Sequence, residues 1–283
     1  MIVLLTGATG FIGKHVYDKL SREDIDLHVT SRNILSLKNS HVLDILDRSA
    51  SRDLIKIIKP DVLIHLAWDV THGEFWSSDK NPDYATATIN LFNIFQKNGG
   101  KKIIAAGTCA EYAPSSCAVD EDSFVDIKEL TPYGRAKKTV FDWLENQCAD
   151  FTWLRIFGIY GEAENKERLF PSMIRAIKLK QEFLIKNPDT FFDYVYVDDI
   201  AKFTVDSLKM KGVGAINIGT GGAVSISDLY NMLKNYIQFG IWEYKESILT
   251  PNANSRIPNC EKLKKYGFQF RLENGLDRMV SGF

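Results

Sequence analysis

The chain has 283 residues, 45% hydrophobic and 25% charged, which suits one large domain or two closely built ones and excludes a disordered or fibrous chain. Lys+Arg 35 against Asp+Glu 36 leaves a formal net charge of -1, so nothing points to nucleic acid, and small-molecule partners are expected. Met1 to Leu5 lacks a basic leader and no run approaches the ~20 apolar residues of a membrane helix, so a soluble, unprocessed chain is expected.

Ile2 to Thr6 is a short apolar run that enters TGATGFIG, followed by a helical pattern through Val16 and Leu20 and a second apolar run at Leu27 to Thr30. This reads as strand, glycine turn, helix, strand. The alternation continues with a helix ending at Ile55 to Ile58, a buried strand at Asp61 to Ala67, a helix near Tyr84 to Lys97 and a strand at Lys102 to Ala106. Thr131-Pro132 has the cap and first-turn arrangement that opens a helix, which runs to about Gln147 before the apolar Phe151 to Phe157. Repeated βα units imply a Rossmann-type, doubly wound parallel sheet covered on both faces. The pattern loosens after Gly158, returns at Phe192 to Leu208 and Ala215 to Ile218, and loosens again. The expected division is a sheet domain over 1–157 and 192–218 and a smaller interleaved C-terminal lobe over 158–191 and 219–283.

Cys109, Cys117, Cys148 and Cys260 form no CxxC pair, and all five histidines lie at or before His72. A disulfide framework or a His/Cys zinc site is not expected, which fits a reducing cytosol.

Gly7, Gly10 and Gly13 follow the first strand and enter its helix, so the backbone can turn tightly and approach a pyrophosphate at the helix N-terminus, with Phe11 and Ile12 in the same turn. The spacing is TGxxGxxG. NAD sites usually carry an acid about 20 residues on, at the end of the second strand, to hold the ribose 2'-hydroxyl. Here that neighbourhood is Thr30-Ser31-Arg32-Asn33, with no carboxylate, and Arg32 suits a 2'-phosphate. NADP(H) is therefore the expected cofactor, with NAD(H) second. His41 to Ile45 ends what should be the third strand, where Asp44 and Ile45 either meet the adenine or simply make a turn.

Tyr133 and Lys137 are four apart at a helix start, and Thr108 ends the preceding strand, so the three can converge at the sheet's C-terminal edge. A tyrosine with an ordinary pKa of ~10 exchanges protons poorly at neutral pH unless a nearby ammonium favours its phenolate, and Lys137 supplies that charge. Thr108 can hydrogen-bond a substrate oxygen, and Tyr133 can pass it a proton.

The segments TGATGFIG at 6–13, IHLAW at 64–68, AAGTCAEY at 105–112, PYGRAK at 132–137, LRIFGIYG at 154–161 and DYVYVDDIA at 193–201 occur in that order. Together they resemble the extended short-chain dehydrogenase/reductases, in their sugar-nucleotide epimerase/dehydratase/reductase group, and the likeness extends to INIGTGG at 216–222 and KLKKYGF at 262–268. The resemblance implies catalytic roles for Thr108, Tyr133 and Lys137, with the lysine also on the nicotinamide ribose, and cofactor contacts at Leu66 and Ala67. It implies a homodimer packed through the helices near 84–97 and 132–147, where Phe92, Phe95, Phe141 and Trp143 supply apolar material, some of it facing the sheet.

Departures from the family narrow the activity. Dehydratases follow the catalytic Thr with Asp-Glu, and this chain has Cys109-Ala110. The epimerase-reductases of the GDP-fucose synthase type carry a Cys and a His at positions held here by Ala110 and Ala163. Cys109 is one residue off, which in an extended segment points it to the other face. Simple 4-epimerases usually retain NAD and carry Asn where this chain has Gly158. The expected activity is NADPH-dependent reduction of a nucleotide-linked 4-keto-6-deoxyhexose, in deoxysugar and surface-polysaccharide biosynthesis. The rivals are a 4-epimerase and a non-catalytic NADP(H)-binding protein, a class that typically lacks the Tyr/Lys pair retained here.

Trp68, Asp69, His72, Phe75 and Trp76 form an aromatic loop that either walls the sugar pocket or packs on itself. Phe170 lies in the segment that resembles the nucleotide entry. Phe192 replaces the usual Arg, leaving Lys186 and Arg256 as candidates for the diphosphate or as plain surface charge.

Overall fold

The computed structural model describes residues 1–115, 117–242 and 255–282. In chain order it runs β1 Ile2–Thr6, α1 Phe11–Leu20, β2 Asp26–Ser31, β3 Ser40–Val42, α2 Arg48–Ile58, β4 Val62–His65, α3 Asn81–Lys97, β5 Lys102–Thr108, α4 Pro132–Gln147 and β6 Phe151–Ile156. It continues with β7 Gly158–Tyr160, α5 Leu169–Lys178, β8 Phe191–Phe192, β9 Tyr194–Tyr196, α6 Val197–Asp206, β10 Gly214–Ile218, β11 Val224–Ser225, α7 Ile226–Phe239, α8 Glu261–Lys265 and α9 Leu276–Ser281.

A seven-stranded sheet has the order β10-β6-β5-β4-β1-β2-β3. β1 pairs in parallel with β2 on one side and β4 on the other, with Thr6 opposite Thr30 and His65. The chain thus winds outward from β1 to β3 and crosses back to β4. That reversal leaves a crevice beyond the carboxyl ends of β1 and β4, where doubly wound sheets bind their ligands.

The expected strands and helices form, with their limits set by local chemistry. The Asp47 carboxylate caps α2 by accepting from the Ser49 and Ala50 amides. The Thr131 hydroxyl accepts from the Gly134 amide, and Pro132 occupies the first turn of α4. One face of the sheet carries a continuous core in which Leu4, Leu63, Ile103 and Ala105 meet Ile55 of α2, Phe92 and Phe95 of α3, and Val140, Phe141 and Leu144 of α4. Three of the aromatics expected for a dimer face, Phe92, Phe95 and Phe141, are therefore consumed by this core. Trp143 is only partly buried.

The chain forms two compact units: 1–111, 125–155 and 200–216 make the first, and 112–124, 156–199 and 217–283 the second. Residue 116 of the expected sheet domain, and residues 243–254 and 283 of the expected C-terminal lobe, lie outside the described residues. In the second unit β7 pairs in parallel with β9, and β8 antiparallel with β11. A Cβ on Gly158 would lie 2.5 Å from the Tyr194 ring and 2.6 Å from the Asp193 carbonyl, so the glycine that stands where simple 4-epimerases usually carry Asn is demanded by this pairing. Asp193 is buried and accepts from the Thr220 and Gly221 amides and the Thr220 hydroxyl, which ties down the INIGTGG turn. Burial nevertheless pushes its carboxyl up to about 6. No helix among the described residues is long and apolar enough to cross a membrane.

Candidate active site

At the end of β1, Gly7 has φ +76, and a Cβ there would lie 2.7 Å from the Ala67 amide and the Leu66 carbonyl carbon. A Cβ on Gly13 would lie 1.9 Å from the Gly7 carbonyl oxygen. The glycines thus let the turn, the start of α1 and the end of β4 occupy one small volume. Gly10 is the α1 cap and has no side-chain acceptor, and no acid lies in the first turn, so backbone donors and the positive end of the helix face outward. Phe11 and Ile12 are half-buried in that turn.

Ser31 ends β2 and is buried, its hydroxyl accepting from the Asn33 amide, and Arg32 follows it, exposed. Arg32 is close enough to Asp69 to lower that carboxyl, behind the Thr71 hydroxyl and the amide and Lys80 as causes. Asp44 is exposed and accepts from the Leu46 amide, whereas Ile45 is buried against Leu43 and Tyr84. Both lie just beyond β3, beside the β2 terminus.

Thr108 is the last residue of β5, and its hydroxyl accepts from the Ala110 amide at 3.2 Å. The chain then turns through a 3-10 helix over Cys109–Glu111. The sequence-based expectation of an extended segment here is therefore corrected. Cys109 opens that helical turn and is half-buried. A Cβ on Gly134 would lie 2.1 Å from the Ala110 carbonyl oxygen, so that glycine lets the first turn of α4 press against the turn after β5. The same contact carries Tyr133 and Lys137 to the end of β5.

Lys137 is 4% exposed and donates to the Ala106 carbonyl at 2.8 Å. Its Nζ lies 3.8 Å from the Trp68 ring centre and 5.9 Å from that of Tyr133. Burial pushes the ammonium down to about 7, against a smaller upward pull from Glu111. Tyr133 is buried, with Trp68, Phe75 and Trp76 edge-on to its ring and its amide donating to the Trp76 carbonyl. His72, in the same loop, is exposed.

Several residues that sequence reasoning missed hold this arrangement. Glu111 is fully buried and accepts from the Thr108 amide at 2.8 Å, Trp153 Nε1 at 2.9 Å and Arg155 Nε at 3.0 Å. A buried ion pair with its remaining valences hydrogen-bonded is tolerated where an unpaired charge would not be. The available signal was a carboxylate and a guanidinium, each inside an apolar stretch of a quoted motif. Asn81 is buried at the start of α3, accepting from Trp68 Nε1 and donating to the Phe75 and Ser78 carbonyls. Nothing in the local sequence distinguishes it from a helix-start asparagine. His65 is a core histidine bridging the Thr6 and Thr88 hydroxyls, pushed down to about 3 by burial.

The remaining candidates lie in the second unit. Phe170 is fully buried, stacked on Tyr160 with ring centres 4.5 Å apart. Arg256 bridges the backbone of Phe192 and its Nε donates to the Tyr112 carbonyl, which puts the candidate guanidinium beside the position of the missing arginine. Lys186 is exposed.

The sheet order, the glycine turn at its reversal and the α4 pair define an extended short-chain dehydrogenase/reductase. The model of the NAD dependent epimerase/dehydratase family matches residues 3–219, and the chain belongs to that family. It is 27% identical to a UDP-glucuronate 4-epimerase of Thermodesulfobacterium geofontis, over 98% of this chain and 94% of that protein. It is 22% identical to the CDP-abequose synthase of Salmonella typhimurium, over 98% and 97%. Among solved structures, a UDP-glucose 4-epimerase of Thermotoga maritima superposes with a TM-score of 0.81 at 23% identity, covering 100% and 98%. The Bordetella bronchiseptica enzyme WbmG, solved with NAD, gives 0.80 at 18%, covering 100% and 92%.

Proposed function

We propose that this protein is an NADPH-dependent reductase of the C4 carbonyl of a nucleotide-linked 4-keto-6-deoxyhexose. The observation that carries the catalytic part is the Gly134 contact, which sets Tyr133 and Lys137 against the end of β5 where Thr108 stands. A pyridine dinucleotide fits the residues present. The glycines at 7 and 13 let the turn close backbone against backbone with no side chain in the way, and the α1 N-terminus offers uncapped donors to a pyrophosphate.

Gly7, Gly10, Phe11, Ile12, Gly13, Leu66 and Ala67 would hold the phosphates and nicotinamide side; Ser31, Arg32, Asp44 and Ile45 would hold the adenosine side. Arg32 and the missing acid favour the 2'-phosphate. A bound nicotinamide would supply the hydride. The chain supplies the rest: Thr108 hydrogen-bonds the carbonyl oxygen, Tyr133 gives that oxygen a proton, and the Lys137 ammonium favours the phenolate that is left and holds the ribose. In the second unit Arg256 is the stronger candidate for the diphosphate. A homodimer through the outer faces of α3 and α4 would have Trp143 as its remaining large aromatic.

A 4-epimerase is the second reading, favoured by the names of the 27%-identical relative and of the Thermotoga structure. Incubating the protein with NADPH and a panel of 4-keto-6-deoxyhexose nucleotides separates the two. The expected result is one NADPH oxidised per sugar reduced. Interconversion of 4-hydroxy sugars without net NADPH oxidation would establish the epimerase. Cofactor binding with neither reaction would reject both.

A further inference from the structure

The Lys137 ammonium is buried, yet among the described residues its Nζ has one hydrogen-bond acceptor, the Ala106 carbonyl. An ammonium carries three donors and is strongly hydrated in water, so so thin a shell leaves its charge poorly supported. What lies beside it instead is the face of Trp68, with Nζ 3.8 Å from the ring centre. That is well inside the roughly 6 Å over which a ring quadrupole attracts a cation, and indole is the strongest of the aromatic rings in this role.

The indole is itself locked. Its Nε1 donates to Asn81 Oδ1 at 3.0 Å, and the Asn81 amide is spent on the Phe75 and Ser78 carbonyls at 2.8 and 3.0 Å. Asn81 is 2% exposed, so no water competes freely for these bonds. Tyr84 packs against the indole, and Tyr133 meets it edge-on.

We propose that Trp68, held by Asn81, is a positioning residue: its indole face keeps the Lys137 side chain charged and in place beside Tyr133. The proposal rests on the reading of Lys137 as the charge that tunes Tyr133.

The other groups facing Lys137 leave this role open. Glu111, after β5, favours the ammonium, but its carboxylate is shared with Arg155 of β6. His65 of β4 is neutral in the core, and the rings of Tyr133 of α4 and Trp153 of β6 are each 5.9 Å from Nζ, farther than Trp68. Burial has brought Lys137 down to about 7, so ammonium and amine are nearly balanced at neutral pH, and a neighbour that favours one form changes its population directly.

A Trp that merely filled space would be replaced by Leu without effect on the charge. The test is therefore an NMR pH titration of the full chain carrying 13Cε-labelled lysine, with the Lys137 signal identified by its loss in Lys137→Arg. Trp68→Leu, which keeps the site apolar but removes the ring, is expected to lower the Lys137 midpoint by about one pH unit, and Trp68→Phe by less. A folded Trp68→Leu protein whose Lys137 titrates as in the wild type, or higher, overturns the proposal. If Trp68→Leu does not fold, Asn81→Ala decides: the unlocked indole should also lower the midpoint, and an unchanged midpoint refutes the assignment. No substrate or cofactor enters this readout. A protein that shows the shift but no hydride transfer would sink the functional reading alone.

Discussion

After β1 the chain turns by leaving side chains out, and after β4 it turns by packing large ones in. Gly7 and Gly13 let backbone meet backbone at distances no Cβ permits, and α1 begins with its donors uncapped. The segment that follows β4 does the opposite: Trp68, Phe75 and Trp76 close around Tyr133 and Lys137. The two segments lie at adjacent strand ends in the parallel pair β1 and β4. One leaves helix-start donors uncapped beside bare backbone. The other shields a tyrosine and a lysine from water.

The sharpest way to break the first segment is Gly13→Ala. Its Cβ would sit 1.9 Å from the Gly7 carbonyl oxygen, so the turn or the helix must move, which is expected to cost about 3 kcal/mol of stability. Cofactor binding, followed by fluorescence titration, should be lost. Near-normal binding in this variant would mean that the turn does not hold the pyrophosphate.

The second segment is broken more gently, through pH. In the unfolded chain Lys137 keeps its proton to about 10.5, whereas the folded protein releases it near 7. Between those values the unfolded state holds more protons, so this group's contribution makes stability rise with pH there. Below 7 the folded state carries a buried cation. Lys137→Met should accordingly be more stable than the wild type at pH 6, by about 2 kcal/mol or more, and lose that advantage as pH rises toward 10. Urea unfolding at both pH values measures it, and a pH-independent difference would contradict the assignment. His65 works in a lower window by the same rule: folded near 3 against 6.5 unfolded, it removes stability as pH falls through that interval. His65→Gln should flatten the acid limb of the same curves.

The smallest expected effect lies at the edge of the first segment. Arg32→Asp should turn a preference for NADPH into one for NADH, a change of about tenfold in relative affinity, as expected of one charge-assisted contact. Equal or tighter NADH binding by the wild type would overturn the cofactor assignment.

The contrast also explains what the sequence made readable. A glycine turn is a local steric requirement, so Gly7, Gly10 and Gly13 announce it, and Thr131-Pro132 announces the start of α4 just as locally. Gly134 was visible inside PYGRAK, but its reason, the Ala110 carbonyl across the site, belongs to another element. The same holds for Glu111 and Arg155, which meet across 44 residues of chain, whereas Asn81 finds its partner Trp68 only 13 residues back but across a loop. Cys109 shows the converse: an extended reading fits the pattern of a strand end, but the Thr108 hydroxyl and the Glu111 carboxylate gather amides of the turn and wind it into a 3-10 helix.

The most direct test is a single-turnover comparison of the wild type with Tyr133→Phe, using saturating NADPH and a 4-keto-6-deoxyhexose nucleotide. Removing one hydroxyl that serves as general acid should slow NADPH oxidation by about 10² to 10⁴ while leaving NADPH affinity and the thermal midpoint close to those of the wild type. An undiminished rate in Tyr133→Phe would show that the proton comes from elsewhere and that this site does not work as described.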